Sequence, residues 1–118
     1  MKIVSDIVKM RDFEDGTRSQ AAEIVVTLAE SVPASIRKVE AIKTDFFPAL
    51  VELITCCEPD MDAWNESVDD EFGAGNDAYS IGISCLERLS LQMKESVTLK
   101  ACGSLIEACL SNSDWKIR

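Results

Sequence analysis

Residues 14–31 read EDGTRSQAAEIVVTLAES and carry a strong α-helical pattern. Apolar side chains recur there at spacings of three and four, which places them on one side of a helix. These side chains are Ala21, Ile24, Val25, Leu28 and Ala29. Val32 then precedes Pro33, and a residue before proline avoids the helical conformation. The pattern therefore predicts an amphipathic helix over residues 17–31 that ends at this Val–Pro pair.

The rest of the chain shows the same helical periodicity, whereas strand signals are poor. Further helices are predicted over residues 2–11 and 39–57, from about Asp77, from about Glu95 or Ser96, and from Asp114 onward. Pro48 lies inside the helix predicted for residues 39–57. Because proline removes a backbone donor and crowds the preceding turn, we expect a kink there, or a helix that begins near Asp45.

The starts of three predicted helices indicate an internal repeat. The second, fourth and sixth helices begin near positions 15, 77 and 114, which are 62 and 37 residues apart. The larger spacing exceeds the smaller one by roughly the length of an acidic stretch that lies between the third and fourth predicted helices. Helix pairs repeating at about forty residues are typical of HEAT and armadillo arrays. The pattern predicts an all-α fold, an α-α superhelix (HEAT-repeat solenoid) segment of about two and a half helix pairs.

Two stretches place an acid four residues before an arginine at the start of a helix. They are Glu14 to Arg18 and Asp114 to Arg118. A carboxylate suits the positive end of the helix, and an arginine one turn later can reach it or an acid of a neighbouring repeat. HEAT arrays commonly carry an Asp–Arg ladder of this kind, so we assign these four residues to a structural ladder. Two chance surface pairs are the alternative.

The formal charge of −9 at pH 7 argues against nucleic acid as a partner and favours basic proteins. Histidine is absent, which removes Ser–His and Cys–His nucleophile pairs and histidine-based zinc sites. No apolar run reaches the roughly 18 residues of a membrane span. We therefore expect a binding protein, not an enzyme, with no cofactor and no membrane partner.

The cysteines are odd in number and lie in apolar helical patterns without the spacing of a disulfide framework. They are Cys56, Cys57, Cys85, Cys102 and Cys109. This arrangement is typical of reduced thiols that pack as small apolar side chains in a cytosolic or nuclear protein.

Residues 58–77 read EPDMDAWNESVDDEFGAGND and contain eight acidic residues without any lysine or arginine. Such a chain of carboxylates attracts Lys- and Arg-rich surfaces at long range and forms charge-assisted hydrogen bonds on contact. A tryptophan can add stacking on a cationic stem. The candidate partner-binding residues are Asp60, Asp62, Trp64, Glu66, Asp69, Asp70 and Glu71. A solvated insert that only maintains solubility is the alternative.

The same stretch partly fits the pattern of a calcium-binding loop. Asp60, Asp62 and Glu71 stand at positions one, three and twelve of an EF-hand loop. Position five is Trp64, which has no ligand atom, and position six is Asn65 in place of the required glycine. Because two defining positions fail, we expect no metal site.

Three segments resemble the importin-beta (karyopherin-beta) nuclear transport receptors. They are MDAWNESVDDEF at 61–72, NDAYSIGISCLERLS at 76–90 and LSNSDWKIR at 110–118. The segment DFEDGTRSQAAEIVVTLAESVPASIRK, residues 12–38, resembles the importin-five-like branch in particular. The resemblance covers nearly the whole chain in order. The acidic run at 69–71 is shorter than in many relatives, and Ser113 stands where relatives often have proline.

The resemblance implies a central HEAT-repeat segment of a nuclear import receptor that shuttles between cytoplasm and nucleus. In that family an acidic loop contacts the basic surface of the GTPase Ran, and nearby acids and aromatics bind basic nuclear localisation signals on cargo. The full receptor also contacts nucleoporins. Carried over, residues 1–38 form a first repeat, residues 39–93 a second repeat with its acidic loop at 58–76, and residues 94–118 a truncated third repeat.

A generic HEAT or armadillo scaffold subunit with an inert acidic loop is the alternative function. The last predicted helix has only begun at Arg118, so we expect the chain to be a segment of a longer protein. Stacked helix pairs bury their apolar stripes only against neighbours. We therefore expect the isolated segment to be marginally stable or to self-associate through its exposed repeat ends.

Overall fold

The computed structural model describes residues 1–55 and 78–114, and every regular element in these two ranges is helical. The elements in chain order are α1 (Lys2–Lys9), α2 (Asp15–Ser31), α3 (Pro33–Ile36), a π-helical turn (Ile42–Phe46), α4 (Phe47–Ile54), α5 (Ala78–Gln92) and α6 (Glu95–Leu110). The prediction of an all-α fold is confirmed. In the described ranges, no helix combines the length and apolar character needed to cross a membrane.

Local sequence signals account for most helix ends. α1 ends two residues earlier than predicted because Met10 is extended, with φ −71° and ψ 109°. α2 ends at Ser31 as predicted, since Val32 leaves the helical region at φ −135° and ψ 58°. Proline fixes φ near the helical value and suits the first turn of a helix. Pro33 accordingly opens α3, a short helix that the sequence analysis missed.

The segment before Pro48 forms a π-helical turn where a kink or a helix start near Asp45 was predicted. The backbone N–H of Phe47 donates to the carbonyl of Ile42, five residues earlier. The helical path thus begins before Asp45 and widens by one residue ahead of the proline. Proline has no N–H to donate and its ring crowds the preceding turn, and a π-helical turn is one way a helix accommodates that disruption.

The helices form stacked pairs. α1 packs on α2, and α4 packs on α5. The first helices of the two pairs, α1 and α4, also contact each other, as do the second helices, α2 and α5. α6 then packs on α4 and on the π-helical turn. This first-on-first and second-on-second stacking is the arrangement of a HEAT-repeat segment, in which each pair contacts only its neighbours.

One core lies between the two complete pairs. Its largest apolar side chains that are fully buried are Phe46, Phe47, Ile42, Leu50, Leu53, Leu89, Val8, Val25 and Val26. Because these residues come from both pairs, the stacking of the pairs buries the apolar stripe that neither pair could bury alone.

The predicted stripe of α2 is partly wrong. Ala21, Val25 and Ala29 are buried as predicted, but Ile24 is 58% exposed and Leu28 is 45% exposed. Val26, together with Ala22, is buried instead. α2 packs between α1 and α5, so its buried face is centred one position away from the stripe read from the sequence.

Candidate partner-binding site

The seven candidate residues of the acidic stretch all lie within residues 56–77, outside the described part of the chain. The structure does place the two helices that the stretch joins. Gly82 of α5 lies so close to α4 that an added Cβ would meet Cγ1 of Ile54 at 2.9 Å and its backbone N at 3.2 Å. The end of α4 and the first turns of α5 are therefore in direct contact.

Arg11, which belongs to the first helix pair, contacts side chains at the end of α4. Arg11, in the turn between α1 and α2, donates from Nη2 to Oε1 of Glu52 at 2.7 Å and to Oγ1 of Thr55 at 3.4 Å. Its Nε donates to the same carboxylate oxygen at 3.1 Å. The Arg11 side chain is 62% exposed, so this ion pair lies in solvent at the edge where the acidic stretch begins.

Arg88 of α5 holds two carboxylates of α2. Its Nη1 donates to both oxygens of Glu23, at 2.8 and 3.0 Å. Its Nε and Nη2 donate to the two oxygens of Glu30, each at 2.8 Å. We call this arrangement the Arg88 clamp. The pair with Glu30 is bidentate, with two nitrogens on two oxygens, and fixes both distance and orientation, whereas Nη1 makes a bifurcated contact with Glu23. The clamp therefore joins the second helices of the two pairs.

The clamp changes the acidity of its members. Hydrogen bonds from Arg88 lower the pKa of Glu30, and hydrogen bonds to Glu30 and Glu23 raise the pKa of Arg88. Glu23 and Glu30 are seven residues apart, two helical turns, and so lie on one face of α2. The clamp was not predicted from the sequence. The spacing of the two acids was a visible signal, but nothing local identified an arginine 58 residues away as their partner.

Arg18 of the predicted ladder is buried and holds the first pair together. Its Nε donates to the carbonyl of Val8 at 2.9 Å, near the end of α1, and its Nη1 pairs with Oδ1 of Asp15 at 3.1 Å. Asp15 lies in the first turn of α2, where a carboxylate suits the helix dipole. Glu14 is exposed and is the N-cap residue of α2. The contact of Arg18 with a neighbouring repeat stays a prediction.

The second rung of the predicted ladder is only half described. Asp114 is exposed, and its backbone N–H donates to Oδ1 of Asn112 at 2.9 Å. Arg118 lies outside the described residues. The pairing of these two residues therefore stays a prediction.

The described cysteines are free thiols at different depths. Cys85 is buried, whereas Cys102 and Cys109 are half-buried on α6. Burial, with the negative charge of Glu23 beside it, raises the pKa of Cys85 to about 12. Burial also raises the pKa of Cys102. Within residues 1–55 and 78–114 no group of histidine, cysteine or acidic side chains could hold a metal ion.

The chain matches a known protein family. The sequence model of a family described as Importin repeat matches residues 10–99. The matched region begins at the turn before α2, includes the acidic stretch, and ends within the first turns of α6. No solved structure matches the chain.

Proposed function

The chain belongs to the Importin repeat family, and from this premise we propose that it is a segment of a nuclear transport receptor. In the proposed function the segment binds protein and catalyses no reaction. Its acidic stretch contacts basic surface on Ran-GTP, on cargo that carries a nuclear localisation signal, or on both. The observation that carries the proposal is the family match, because it extends through the acidic stretch and the helices on either side.

The charge of the chain supports a basic partner. The acidic stretch contributes eight carboxylates to a chain whose net charge is −9. Attraction between such a stretch and a Lys- and Arg-rich surface accelerates association and weakens as salt is added. We therefore assign partner contacts to the candidates of the stretch, namely Asp60, Asp62, Trp64, Glu66, Asp69, Asp70 and Glu71.

The stacking of the helix pairs supports the same role. Gly82 and Ile54 bring the ends of α4 and α5 into contact, and the Arg88 clamp holds α5 on α2. A stretch carried between two firmly packed helices loses less conformational freedom on binding than one carried on a loose hairpin. The packing of α4 and α5 thus supports the proposal that the stretch between them binds a partner.

We further propose the importin-five-like branch of the family, on the pattern EDGTR at residues 14–18 and VVTLAE at residues 25–30. The same assignment implies shuttling between cytoplasm and nucleus, with contacts to nucleoporins made by the full receptor. Nucleic acid is not a proposed partner, because a charge of −9 repels phosphates.

Neutralising the acidic run tests the proposed contact. Binding of the 118-residue chain to Ran-GTP and to a Lys-rich import-signal peptide would be measured by biolayer interferometry at low and at physiological salt. We expect D69N/D70N to weaken binding to whichever partner the acidic run contacts. The remaining binding should also depend less on salt. The matched control is D6N/D12N, which removes the same charge from two exposed acids near α1.

Two results would contradict the proposal. One is binding by D69N/D70N that equals that of D6N/D12N at low salt, and the other is no measurable binding to either partner. A chain that lacks residues 60–75 yet retains its partners would instead support the alternative, a HEAT-repeat scaffold with an inert acidic loop.

A further inference from the structure

A groove lies between the π-helical turn and α6, on the side where α6 packs on the second helix pair. Its volume is about 590 Å³. One wall is the π-helical turn with Pro48, and the other is the face of α6 that carries Val97, Ala101 and Leu105. Because these three residues are four positions apart, they form a continuous apolar row along the helix. The groove therefore has an apolar floor that follows the axis of α6.

This groove is on the opposite side of α6 from the most exposed apolar residues of that helix. Leu99 is 71% exposed and Ile106 is 57% exposed. At about 3.6 residues per turn, these positions lie roughly half a turn around the helix from Val97 and Ala101. A further helix packed against Leu99 and Ile106 would therefore leave the groove open.

Two lysines from different elements line the groove. Lys43 belongs to the π-helical turn, and Lys100 is an exposed residue of α6. Nζ of Lys43 lies 2.7 Å from Oε2 of Glu40, whose side chain is 72% exposed and also lines the groove. An exposed pair of this kind contributes little, so another carboxylate can replace Glu40 beside Lys43. The described lining thus carries two positive charges and one negative charge.

The beginning of α6 adds to the positive potential of the groove. Ser96, in the first turn of the helix, lines the groove, and the N-cap residue Lys94 makes no side-chain cap hydrogen bond. Backbone N–H groups at the start of a helix carry partial positive charge and favour anions. Glu95 of the same turn lines a different cavity. The hydroxyls of Thr44, Ser96 and Ser104 supply further donors to the groove.

The π-helical turn determines where one of the lysines lies. The N–H of Phe47 donates to the carbonyl of Ile42, so this turn is one residue wider than an α-helical turn. Lys43 and Thr44 lie within the widened turn, and both line the groove. Single π-helical turns occur frequently at functional sites. The irregular turn and the groove are therefore parts of the same surface.

We propose that this groove binds an extended acidic segment of another protein, with apolar side chains on the floor and carboxylates beside Lys43 and Lys100. From Val97 to Leu105 the helix rises by roughly 12 Å, the length of about four residues of extended chain. Successive side chains of an extended chain point to opposite sides, so alternating acidic and apolar residues fit the groove. The proposal depends on neither the acidic stretch nor Ran, and its partner has the opposite charge to a nuclear localisation signal.

The net charge of the chain does not prevent this contact. The chain carries a charge of −9, and residues 58–77 contribute eight of its carboxylates. At physiological salt the Debye length is about 8 Å, so charges separated by more than this distance interact weakly. A carboxylate that contacts a lysine is screened much less. At this salt concentration the lysines of the groove therefore decide whether an acidic segment binds.

A peptide titration of the 118-residue chain at physiological salt tests the proposal. The probe is a fluorescently labelled peptide with the core Glu-Leu-Glu-Leu-Glu between Gly-Ser flanks, measured by fluorescence anisotropy. We expect Lys43→Gln and Lys100→Gln each to weaken binding by about five- to tenfold, because each removes a charge-assisted hydrogen bond. A peptide with glutamine in place of every glutamate should bind more weakly than the probe.

Glu40→Gln should change the affinity in the opposite direction. This variant removes the carboxylate that competes for Lys43, so we expect it to strengthen binding of the probe. The matched control is Asp12→Asn, which removes the same charge from an exposed residue that does not line the groove. It should strengthen binding less than Glu40→Gln does.

The matched control for the lysine variants is Lys38→Gln, at an exposed residue that does not line the groove. It should leave the affinity nearly unchanged, and circular dichroism should show native helicity for every variant. Losses of affinity in Lys38→Gln equal to those in the two groove variants would overturn the proposal. So would equal binding of the glutamate and glutamine peptides, equal gains from Glu40→Gln and Asp12→Asn, or no measurable binding of the probe by the wild type.

Discussion

Nη1 of Arg88 lies 2.8 Å from Oε2 of Glu23, an ion pair that connects α5 to α2 across 65 residues of sequence. The same guanidinium lies 2.8 Å from both oxygens of Glu30. The side chains of all three residues are about one-third exposed, so the clamp is only partly screened by solvent. It closes one edge of the interface between the two complete helix pairs.

Removing the clamp should destabilise the stack. We expect Arg88→Met to lower the free energy of unfolding more than Arg11→Met does, because two carboxylates of α2 lose the guanidinium that connects them to α5. Arg11→Met, which removes the more exposed pair with Glu52, should cost no more than about 0.5 kcal/mol. Urea denaturation of both variants measures the difference. Equal losses would contradict a structural role for the clamp.

The clamp should also make the stability of the chain depend on pH in the acidic range. Hydrogen bonds from Arg88 lower the pKa of Glu30 from its ordinary value of 4.5, so the folded chain keeps this carboxylate charged where the unfolded chain protonates it. The stabilisation is therefore complete above pH 4.5 and is lost as the pH falls through the lower pKa of the folded state.

Titration with and without the clamp measures this effect. The unfolding free energy of the wild type should fall more steeply below pH 4.5 than that of Glu30→Gln, which has no group to titrate at this position. Parallel curves for the two proteins would show that Glu30 has the same acidity in the folded and unfolded states.

Two helical glycines should respond oppositely to alanine. An alanine Cβ at Gly103 would have no heavy atom within 4 Å, so Gly103→Ala should stabilise the chain by up to about 1 kcal/mol through helix propensity. At Gly82 the same atom would meet the backbone N of Ile54 at 3.2 Å, and that backbone belongs to α4. We expect Gly82→Ala to lower the melting temperature and Gly103→Ala to raise it. A rise for both would show that α4 and α5 can separate at little cost.

Thiol labelling should distinguish the described cysteines. Cys85 is fully buried and its pKa is raised to about 12, so at pH 8 it stays a protonated thiol that attacks maleimide or disulfide reagents poorly. Cys109 is half-buried and lines an apolar cavity between α4, α5 and α6, and it should be modified before Cys85. Mass spectrometry of peptides after brief labelling measures the order. Rapid modification of Cys85 in the folded chain would contradict its burial.

The burial of Cys85 should also make the stability of the chain depend on pH in the alkaline range. An unfolded cysteine ionises near its ordinary pKa of 9.0, whereas Cys85 in the folded chain has a pKa of about 12 and keeps its proton at higher pH. The unfolded state therefore loses protons first, and the contribution of Cys85 to stability should decline as the pH rises above 9.0. Cys85→Ala should remove this part of the alkaline decline.

Local sequence was sufficient for most of the helices. Apolar spacing identified α2 and the beginnings of α5 and α6 within about two residues, and the Val32–Pro33 pair identified the end of α2. These features depend on backbone hydrogen bonds and dihedral limits that act over four residues or fewer. The resemblance to importin-beta receptors rested on local segments too, and the family match confirms it at the level of the family.

Three-dimensional packing decided which apolar side chains are buried. Ile24 and Leu28 fit a helical stripe as well as Val26 does, yet only Val26 is buried, because α1 and α5 cover one side of α2 and leave the other to solvent. The partners of Arg88 follow from the same stacking. Hydrogen bonds within a helix are specified by neighbours in sequence. Burial and long-range ion pairs depend on which helix lies alongside, and that information appears only when all the helices pack together.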